Sequence, residues 1–197
     1  MVVFTSLPTL HGPTAYLRPV TANDTQGRWW QWLNDPNVVE MMDKGYAPNT
    51  SEAQRAFFEK VSQSGTDAVF AICLNESGQH IGIAGLHRIN PERKTGQFGI
   101  IIGETAYHRR GIGFEAWGLA LEYAFDSLCL QTISTMIVPD NVASMKIAHR
   151  FGFKEMERLK NFIKKKTRAY DYATLILTRD NWTRADISAQ HVKPKSL

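Results

Sequence analysis

The sequence predicts a mixed α/β fold whose central sheet is part parallel and part antiparallel, and three observations carry that expectation. Residues 96–102, 113–128 and 132–138 read in turn as strand, helix and strand, the minimal unit that makes a parallel pair. Residues 68–74 and 80–87 are apolar runs separated by Asn75-Glu76-Ser77-Gly78, a turn cluster, and together read as an antiparallel hairpin. Residues 170–177 alternate Tyr170, Tyr172, Thr174 and Ile176 against Asp171, Ala173, Leu175 and Leu177, which is the period of a strand.

The elements follow in chain order. Residues 15–20 read as a first strand, and Pro19, which cannot donate to a ladder, marks its end or an edge. Thr21-Ala22-Asn23-Asp24 can cap a helix running through Trp29, Trp30, Trp32 and Leu33. Asn34-Asp35-Pro36 ends it, and Pro36 can open a short second helix over Val38–Met42. Thr50 or Ser51 caps a third through Phe57, Phe58 and Val61, and Gly65 stops it. After the hairpin, Asn90-Pro91 turns the chain into strand 96–102. In the helix that follows, Trp117, Leu121, Ala124, Phe125 and Leu128 share one apolar face. Asn141 opens a second periodic helix with Ser144, Ile147, Ala148 and Phe151 on one side, and Gly152 closes it. Residues 1–182 are expected to form one domain and residues 183–197 a polar C-terminal tail.

Composition bounds the function classes. Of 197 residues, 43% are hydrophobic and 21% charged, the balance of an ordinary globular domain. No apolar stretch approaches the ~20 residues of a membrane helix, and no basic segment followed by an apolar one opens the chain. A cytoplasmic protein without a membrane partner is expected. Cys73 and Cys129 lie in apolar segments with no metal or redox spacing, so both are expected to be buried free thiols and no metal is expected. A net charge of +4 is too mild to argue for nucleic acid. The charge is nonetheless concentrated: Arg158, Lys160, Lys164, Lys165, Lys166 and Arg168 run without an intervening acid. Such a run is either a solvated hairpin tip or a patch that receives phosphates, and both readings stay open.

The junction between strand 96–102 and the next helix carries chemistry. Residues 108–114 are His-Arg-Arg-Gly-Ile-Gly-Phe on a first helical turn. Helix N-termini leave N–H groups unpaired and so attract anions. Gly111 and Gly113 let a phosphate approach the backbone, and Arg109 and Arg110 add positive charge. The pattern lacks the third glycine and the distant acid of a dinucleotide-binding motif, and no Gly-Lys-Ser/Thr follows as in a P-loop.

The segment resembles the central motif of the GNAT acetyltransferases, Arg/Gln-x-x-Gly-x-Gly/Ala. Around it, Ile81-Gly82 to Leu86-His87, Gly96-Gln97-Phe98-Gly99-Ile100 and Gly111-Ile112-Gly113-Phe114-Glu115-Ala116 follow the family's order. Asn141-Val142-Ala143-Ser144 with Arg150-Phe151-Gly152-Phe153 is similar to its Asn-x-x-Ser/Ala…Gly-Phe block. Trp32-Leu33-Asn34-Asp35-Pro36 resembles the subgroup that includes ribosomal-protein N-terminal and amino-sugar or aminoglycoside acetyltransferases. The resemblance covers residues 15–178 and is most specific over 81–153. It implies a GNAT fold: a mixed, mostly antiparallel sheet with a V-shaped parallel splay, flanked by helices.

It also implies a function, direct transfer of acetyl from acetyl-CoA to a primary amine. The cosubstrate would be held by Ile101 and Ile102 at the splay, by His108, Arg109, Arg110, Gly111, Ile112, Gly113 and Phe114 at the pyrophosphate, and by Asn141 and Ser144 beside the pantetheine arm. Two positions depart from the family pattern, with Gln97 where many relatives carry a glutamate and Ala148 where many carry a tyrosine acid. Ser144 then becomes the candidate to hydrogen-bond the sulfur, and Glu104 and His87 the candidates for proton transfer. Trp32, Gln97 and Asp171 are candidates to contact the acceptor. An amino sugar and a peptide or ribosomal-protein N-terminus both remain open as acceptor, with a polyamine or aminoglycoside less suited to a basic C-terminal half. The chain would work as a monomer or homodimer. A rival reading, motivated by Gln97 and Ala148, is an acyl-CoA-binding module with impaired catalysis; a nucleic-acid-binding domain built on Lys164–Lys166 lacks any recognition motif.

Overall fold

The computed structural model describes residues 7–44 and 47–184. Among the described residues eight strands form: β1 (Leu10–His11), β2 (Ala15–Pro19), β3 (Ala68–Leu74), β4 (His80–Asn90), β5 (Thr95–Ile102), β6 (Thr132–Ile137), β7 (Lys154–Lys164) and β8 (Ala169–Thr178). They make one sheet in the order β1-β2-β3-β4-β5-β6-β8-β7, antiparallel throughout except for the β5–β6 pair. The helices are α1 (Trp29–Trp32), α2 (Pro36–Val39), α3 (Ser51–Ser62), α4 (Ile112–Glu122) and α5 (Val142–Phe151). This is the GNAT fold that the sequence predicts.

The sheet is covered on both faces, which explains why β3 is apolar without alternation. Phe70 and Ile72 join the main core, where α4 and α5 contribute Trp117, Leu121 and Phe151. Val69 packs instead with Trp29, Trp32, Val61 and Ile83 under the N-terminal helices. Trp117 centres the larger core, edge-on to Phe98 at 4.8 Å and to Phe153 at 5.5 Å. Of the expected caps, Thr50 Oγ1 accepts from Ala53 and Asn141 Oδ1 from Ser144; Asp35, read only as a helix breaker, also caps α2, its Oδ1 accepting from the Asn37 amide. Gly152 closes α5 at φ 97°.

Four expectations need correction. The helix expected from Thr21 is a 3₁₀ turn over Ala22–Gln26, an extended Gly27 and a single α turn, because Asp24 points inward and Gly27 leaves the helical region. The helix expected over 113–128 ends as α at Glu122 and widens to a π turn over Tyr123–Ser127. The start of the basic run, residues 158–164, read as a solvated loop or hairpin tip or a phosphate patch, belongs with 154–157 to β7 on the sheet edge. Most of its residues are exposed and its pairing slips near Met156 and again between Leu159 and Ile163, so no hydrophobic period betrays it. Cys73 is a buried free thiol as expected, but Cys129 is exposed, with φ 53° just past the π turn. Of the C-terminal tail expected at 183–197, residues 185–197 lie outside the described residues. Among the described residues no helix is long and apolar enough to cross a membrane.

One buried charge cluster fixes the N-terminal helices against the sheet. Asp24 takes a bidentate pair from Arg18 at 2.8 and 2.7 Å, the Thr21 amide at 2.7 Å, and His80 Nδ1 at 3.3 Å. Burial alone would push its carboxyl up. The hydrogen bonds from Arg18, His80 and the Thr21 amide outweigh burial and hold it far below the ordinary carboxylate range. Asp24→Ala is therefore expected to cost about 3 kcal/mol, since it leaves Arg18 half-buried and unpaired. The native carboxyl is depressed, so its stabilisation is complete above the unfolded value near pH 4 and is lost as pH falls below it. Urea midpoints of the two proteins at pH 7 and pH 3 check both points. The gap should shrink at pH 3, and a gap below about 1 kcal/mol at pH 7 would show that the cluster is not what anchors these helices.

Candidate active site

The loop from β5 to α4 is shaped by its backbone. A 3₁₀ turn over Thr105–Tyr107 leads to Arg109 at φ 61° and Gly111 at φ 81°, both left-handed. Gly111 is the N-cap of α4, and Glu115 N–H makes the helix's first bond, to Gly111 O at 3.1 Å. The amides of Ile112, Gly113 and Phe114 therefore have no intrahelical acceptor. A Cβ on Gly111 would meet nothing within 4 Å, and one on Gly113 only Ile102 Cγ1 at 3.8 Å. The space before this helix end is thus open, with Arg109 and Arg110 exposed beside it. Tyr107 donates to Gln79 Oε1 at 2.9 Å and carries Arg110 over its ring, while His108 Nε2 lies 2.8 Å from Ile102 O. Glu115, buried in the first turn, accepts the amides of Thr14 at 2.8 Å and Ala15 at 3.0 Å and pins the helix start to β2. An anion fits this cradle.

Beside the loop the sheet opens. β5 pairs with β6 only over Thr95–Gln97 against Thr132–Ser134. β5 then stays with β4 as far as Ile102, and β6 stays with β8. Lys94 O accepts from the Gln131 and Thr132 amides on the β6 side, whereas Gly103 N–H donates to Ile81 O on the β4 side. Strand alternation then turns the backbones of Ile100 and Ile102 toward the gap and that of Ile101 toward β4, so of the two backbones expected to face the thioester Ile102 does and Ile101, paired with Ile83, does not. A cavity of about 500 Å³ runs through the splay. Gly99, Ile100 and Ile101 line it from β5, and Trp117, Asn141 and Ser144 from the helices. Ala148, by contrast, is fully buried in the core.

On the face of β4 and β5 opposite α4 stands a pair that the sequence shows only in half. His87 Nδ1 is 2.6 Å from Asp67 Oδ1, and Ser64 Oγ donates to Asp67 Oδ2 at 2.5 Å. Burial pushes the Asp67 carboxyl up, but the bonds from Ser64 and His87 and the imidazole charge bring it below its ordinary value. An ionised Asp67 only accepts, so Nδ1 carries the hydrogen toward it and Nε2 is the ring nitrogen left to exchange a proton. The ring lies over Gly85, where a Cβ would collide with Nε2. His87 sits directly opposite Gln97 in the β4–β5 register. It lines both the splay cavity and an adjoining one of about 590 Å³, together with Phe57, Gly99, Met136 and Tyr172. Gln97 lines only the second.

Other candidates are engaged elsewhere. Glu104 Oε1 accepts from Trp32 Nε1 at 2.8 Å and pairs with Arg28 Nε at 2.6 Å. Trp32 covers Gly103 so closely that a Cβ there would strike the indole. These residues form a clasp between α1 and the loop after β5, outside both cavity walls. Asp171 Oδ1 accepts the Asn161 amide at 3.0 Å, where Asn161 takes φ 52° in a bulge of β7. Its neighbour Tyr172 faces the cavity instead. Sequence reasoning also missed Asp67, which carries no motif, and Met41, Met42 and Met136, which read only as apolar.

The basic run is partly committed to protein contacts. Arg158 grips Glu155 through two bonds at 2.8 and 2.7 Å. Lys165 Nζ donates to Val39 O and Lys44 O, both at 3.1 Å, and Arg168 pairs with Asp140 at 3.2 Å. Tyr170 donates to Glu40 Oε1 at 2.5 Å. The β7–β8 tip thereby braces residues 39–44, which form one wall of the splay cavity.

Comparison with known proteins agrees with this geometry. The family described as "Acetyltransferase (GNAT) domain" matches residues 15–154. An uncharacterized N-acetyltransferase p20 of Bacillus licheniformis is 26% identical over 177 residues, 88% of this chain and 98% of that protein. The spermidine N-acetyltransferase of Vibrio cholerae, solved with CoA and spermine, superposes with a TM-score of 0.77 at 18% identity, over 85% of this chain and 96% of that one. Mycobacterium smegmatis RimJ, solved with CoA-disulfide, gives 0.75 at 17% identity over 88% of each chain. The chain belongs to the GNAT acetyltransferases and is an acetyl-CoA-dependent N-acetyltransferase.

Proposed function

We propose that the protein transfers acetyl from acetyl-CoA directly to a primary amine, with His87 taking the amine's proton and Asp67 holding the imidazole in the accepting tautomer. The observation that carries this reading is the 2.6 Å Asp67–His87 pair at the junction of the two cavities. Bound acetyl-CoA supplies an activated thioester; the chain's residues do the rest. The N-terminus of α4, with Gly111, Ile112, Gly113 and Phe114, receives the pyrophosphate, and His108, Arg109 and Arg110 complete the cradle. Asn141 and Ser144 border the pantetheine arm, and Ser144 Oγ is the group offered to the sulfur. The Ile100 and Ile102 amides, turned into the gap, are the donors for developing negative charge on the carbonyl oxygen. Gln97, opposite His87, orients the acceptor. In this reading Glu104 and Trp32 serve as scaffold, because their polar atoms already satisfy each other and Arg28. Asp171 shapes β7 in the same way. A cytoplasmic setting suits a reaction that draws on acetyl-CoA.

Two measurements test the halves of this reading. In calorimetry, Gly111→Glu should weaken acetyl-CoA binding at least tenfold, because a carboxylate would then stand where phosphate charge must lie. Gly111→Asn, which tolerates left-handed backbone and is neutral, should stay within a few fold. Equal losses in both variants would point to strain rather than charge and remove the cradle.

In steady-state assays, His87→Ala should lower kcat about 10²-fold with acetyl-CoA affinity unchanged, and added imidazole should restore part of the rate. Asp67→Asn should lower kcat by about tenfold or more, since an amide can donate to Nδ1 and leave the hydrogen on Nε2. Wild-type kcat in His87→Ala would move the proton acceptor elsewhere. Intact acetyl-CoA binding by the native chain with no transfer to any amine would instead favour an acyl-CoA-binding module.

A further inference from the structure

Resting on the acetyltransferase reading, the geometry points to the acceptor class: we infer a primary amine with an aromatic or branched apolar body, not a polyamine or a nucleotide-linked amino sugar. The splay cavity continues past His87 into a wall of Leu33, Met41, Met42, Phe57, Met136 and Tyr172. Three of these six are methionines, whose flexible thioethers fit irregular apolar shapes. The wall is built rather than incidental. Lys165 and Tyr170 hold the 39–44 segment that carries Met41 and Met42, and Trp29 packs edge-on against Phe57 at 5.9 Å. Gly99 adds room at the centre, since a Cβ there would meet nothing within 4 Å.

Charge argues the same way. Among the described residues lining this cavity, Asp43 is the single carboxylate, beside Lys44 and His87. A polyamine brings two or more ammonium groups, which one carboxylate cannot balance in an apolar wall. The acceptor amine also has to lose a proton beside His87, and an apolar site that favours the neutral amine assists that loss. A diphosphate finds no better match: no residue of the basic run 158–168 lines either cavity. Lys60 and Arg88 stand at the adjoining cavity. Asp67, the carboxylate at that end, is already bonded to Ser64 and His87, so with Lys60 and Arg88 beside it the end suits a carbonyl or carboxylate better than a second ammonium. Each methylene buried in the wall should raise kcat/KM about threefold to fourfold.

The chemistry has two sources, a free amine or the N-terminus of a peptide led by an apolar residue. The test follows CoA thiol release by the full-length chain with phenethylamine, isoamylamine, a phenylalanine-led tripeptide, the matching serine-led tripeptide, spermidine and a uridine-diphosphate amino sugar. Phenethylamine or the phenylalanine-led peptide should exceed spermidine and the amino sugar at least tenfold in kcat/KM. The better of those two names the source, and the serine-led peptide should fall behind its partner. Met42→Glu, at a half-exposed position, should cut transfer to the apolar acceptor at least tenfold and narrow its lead over spermidine, with acetyl-CoA affinity held within twofold. Spermidine or the amino sugar matching the apolar amines would overturn the inference alone, as would an equal loss on all acceptors in Met42→Glu. No transfer to any amine, with acetyl-CoA still bound, would overturn the acetyltransferase reading and the inference with it.

Discussion

The structure turns on the divergence of β5 from β6 after Gln97. Each strand keeps its outer partner: β5 follows β4 to Ile102, and β6 follows β8 through Ile137. Past Gln97 and Ser134 the facing edges of β5 and β6 carry no ladder. Backbone groups turned into that gap then lack strand partners, which a buried backbone rarely tolerates without another acceptor or donor. Trp117 wedges the opening on the helical side, fixed between Phe98, Phe151 and Phe153. The splay is therefore a packed feature, and the cavity and the backbone groups that face it follow from it.

Two contacts tie the halves of the site together. Glu115 anchors the first turn of α4 to the start of β2, so the helix end cannot drift from the sheet. On the other side, the Trp32–Glu104–Arg28 clasp fastens the N-terminal helices to the segment leaving β5. The N-terminal helices and the loop from β5 to α4 are thus held to the same few residues, Gly103 and Glu104.

Much of this was legible in the sequence where a local rule writes it. The parallel unit, the 68–87 hairpin, the caps at Thr50 and Asn141 and the glycine-bearing helix start all depend on short-range chemistry, and each stands where the pattern placed it. β7 was not legible, because an edge strand wet on both faces carries no hydrophobic period. Glu104, Trp32 and Asp171 read as cleft residues on position alone, yet their polar atoms are taken by neighbours 72 residues away for Trp32 and Glu104 and 10 away for Asp171 and Asn161. Asp67 shows the converse. Nothing around it in the chain announces a role, and only the fold brings it to His87 across 20 residues.

The departures at Gln97 and Ala148 look at first like lost chemistry, and the register shows why they need not be. His87 on β4 lies directly opposite Gln97 on β5, and cross-strand neighbours on one face have Cβ atoms about 5 Å apart. Both positions line the cavity that adjoins the splay, and His87 lines the splay cavity as well. A proton acceptor at His87 asks for two accommodations nearby, and both are present. Gly85 clears the face for the imidazole ring, and Asp67, steadied by Ser64, fixes the tautomer. A glutamine on β5 can then hydrogen-bond a neutral acceptor without adding a second carboxylate to an apolar wall. In the proposed mechanism the Asp67–His87 pair does the work of the strand acid that Gln97 does not supply, which suits an acceptor that brings little charge of its own.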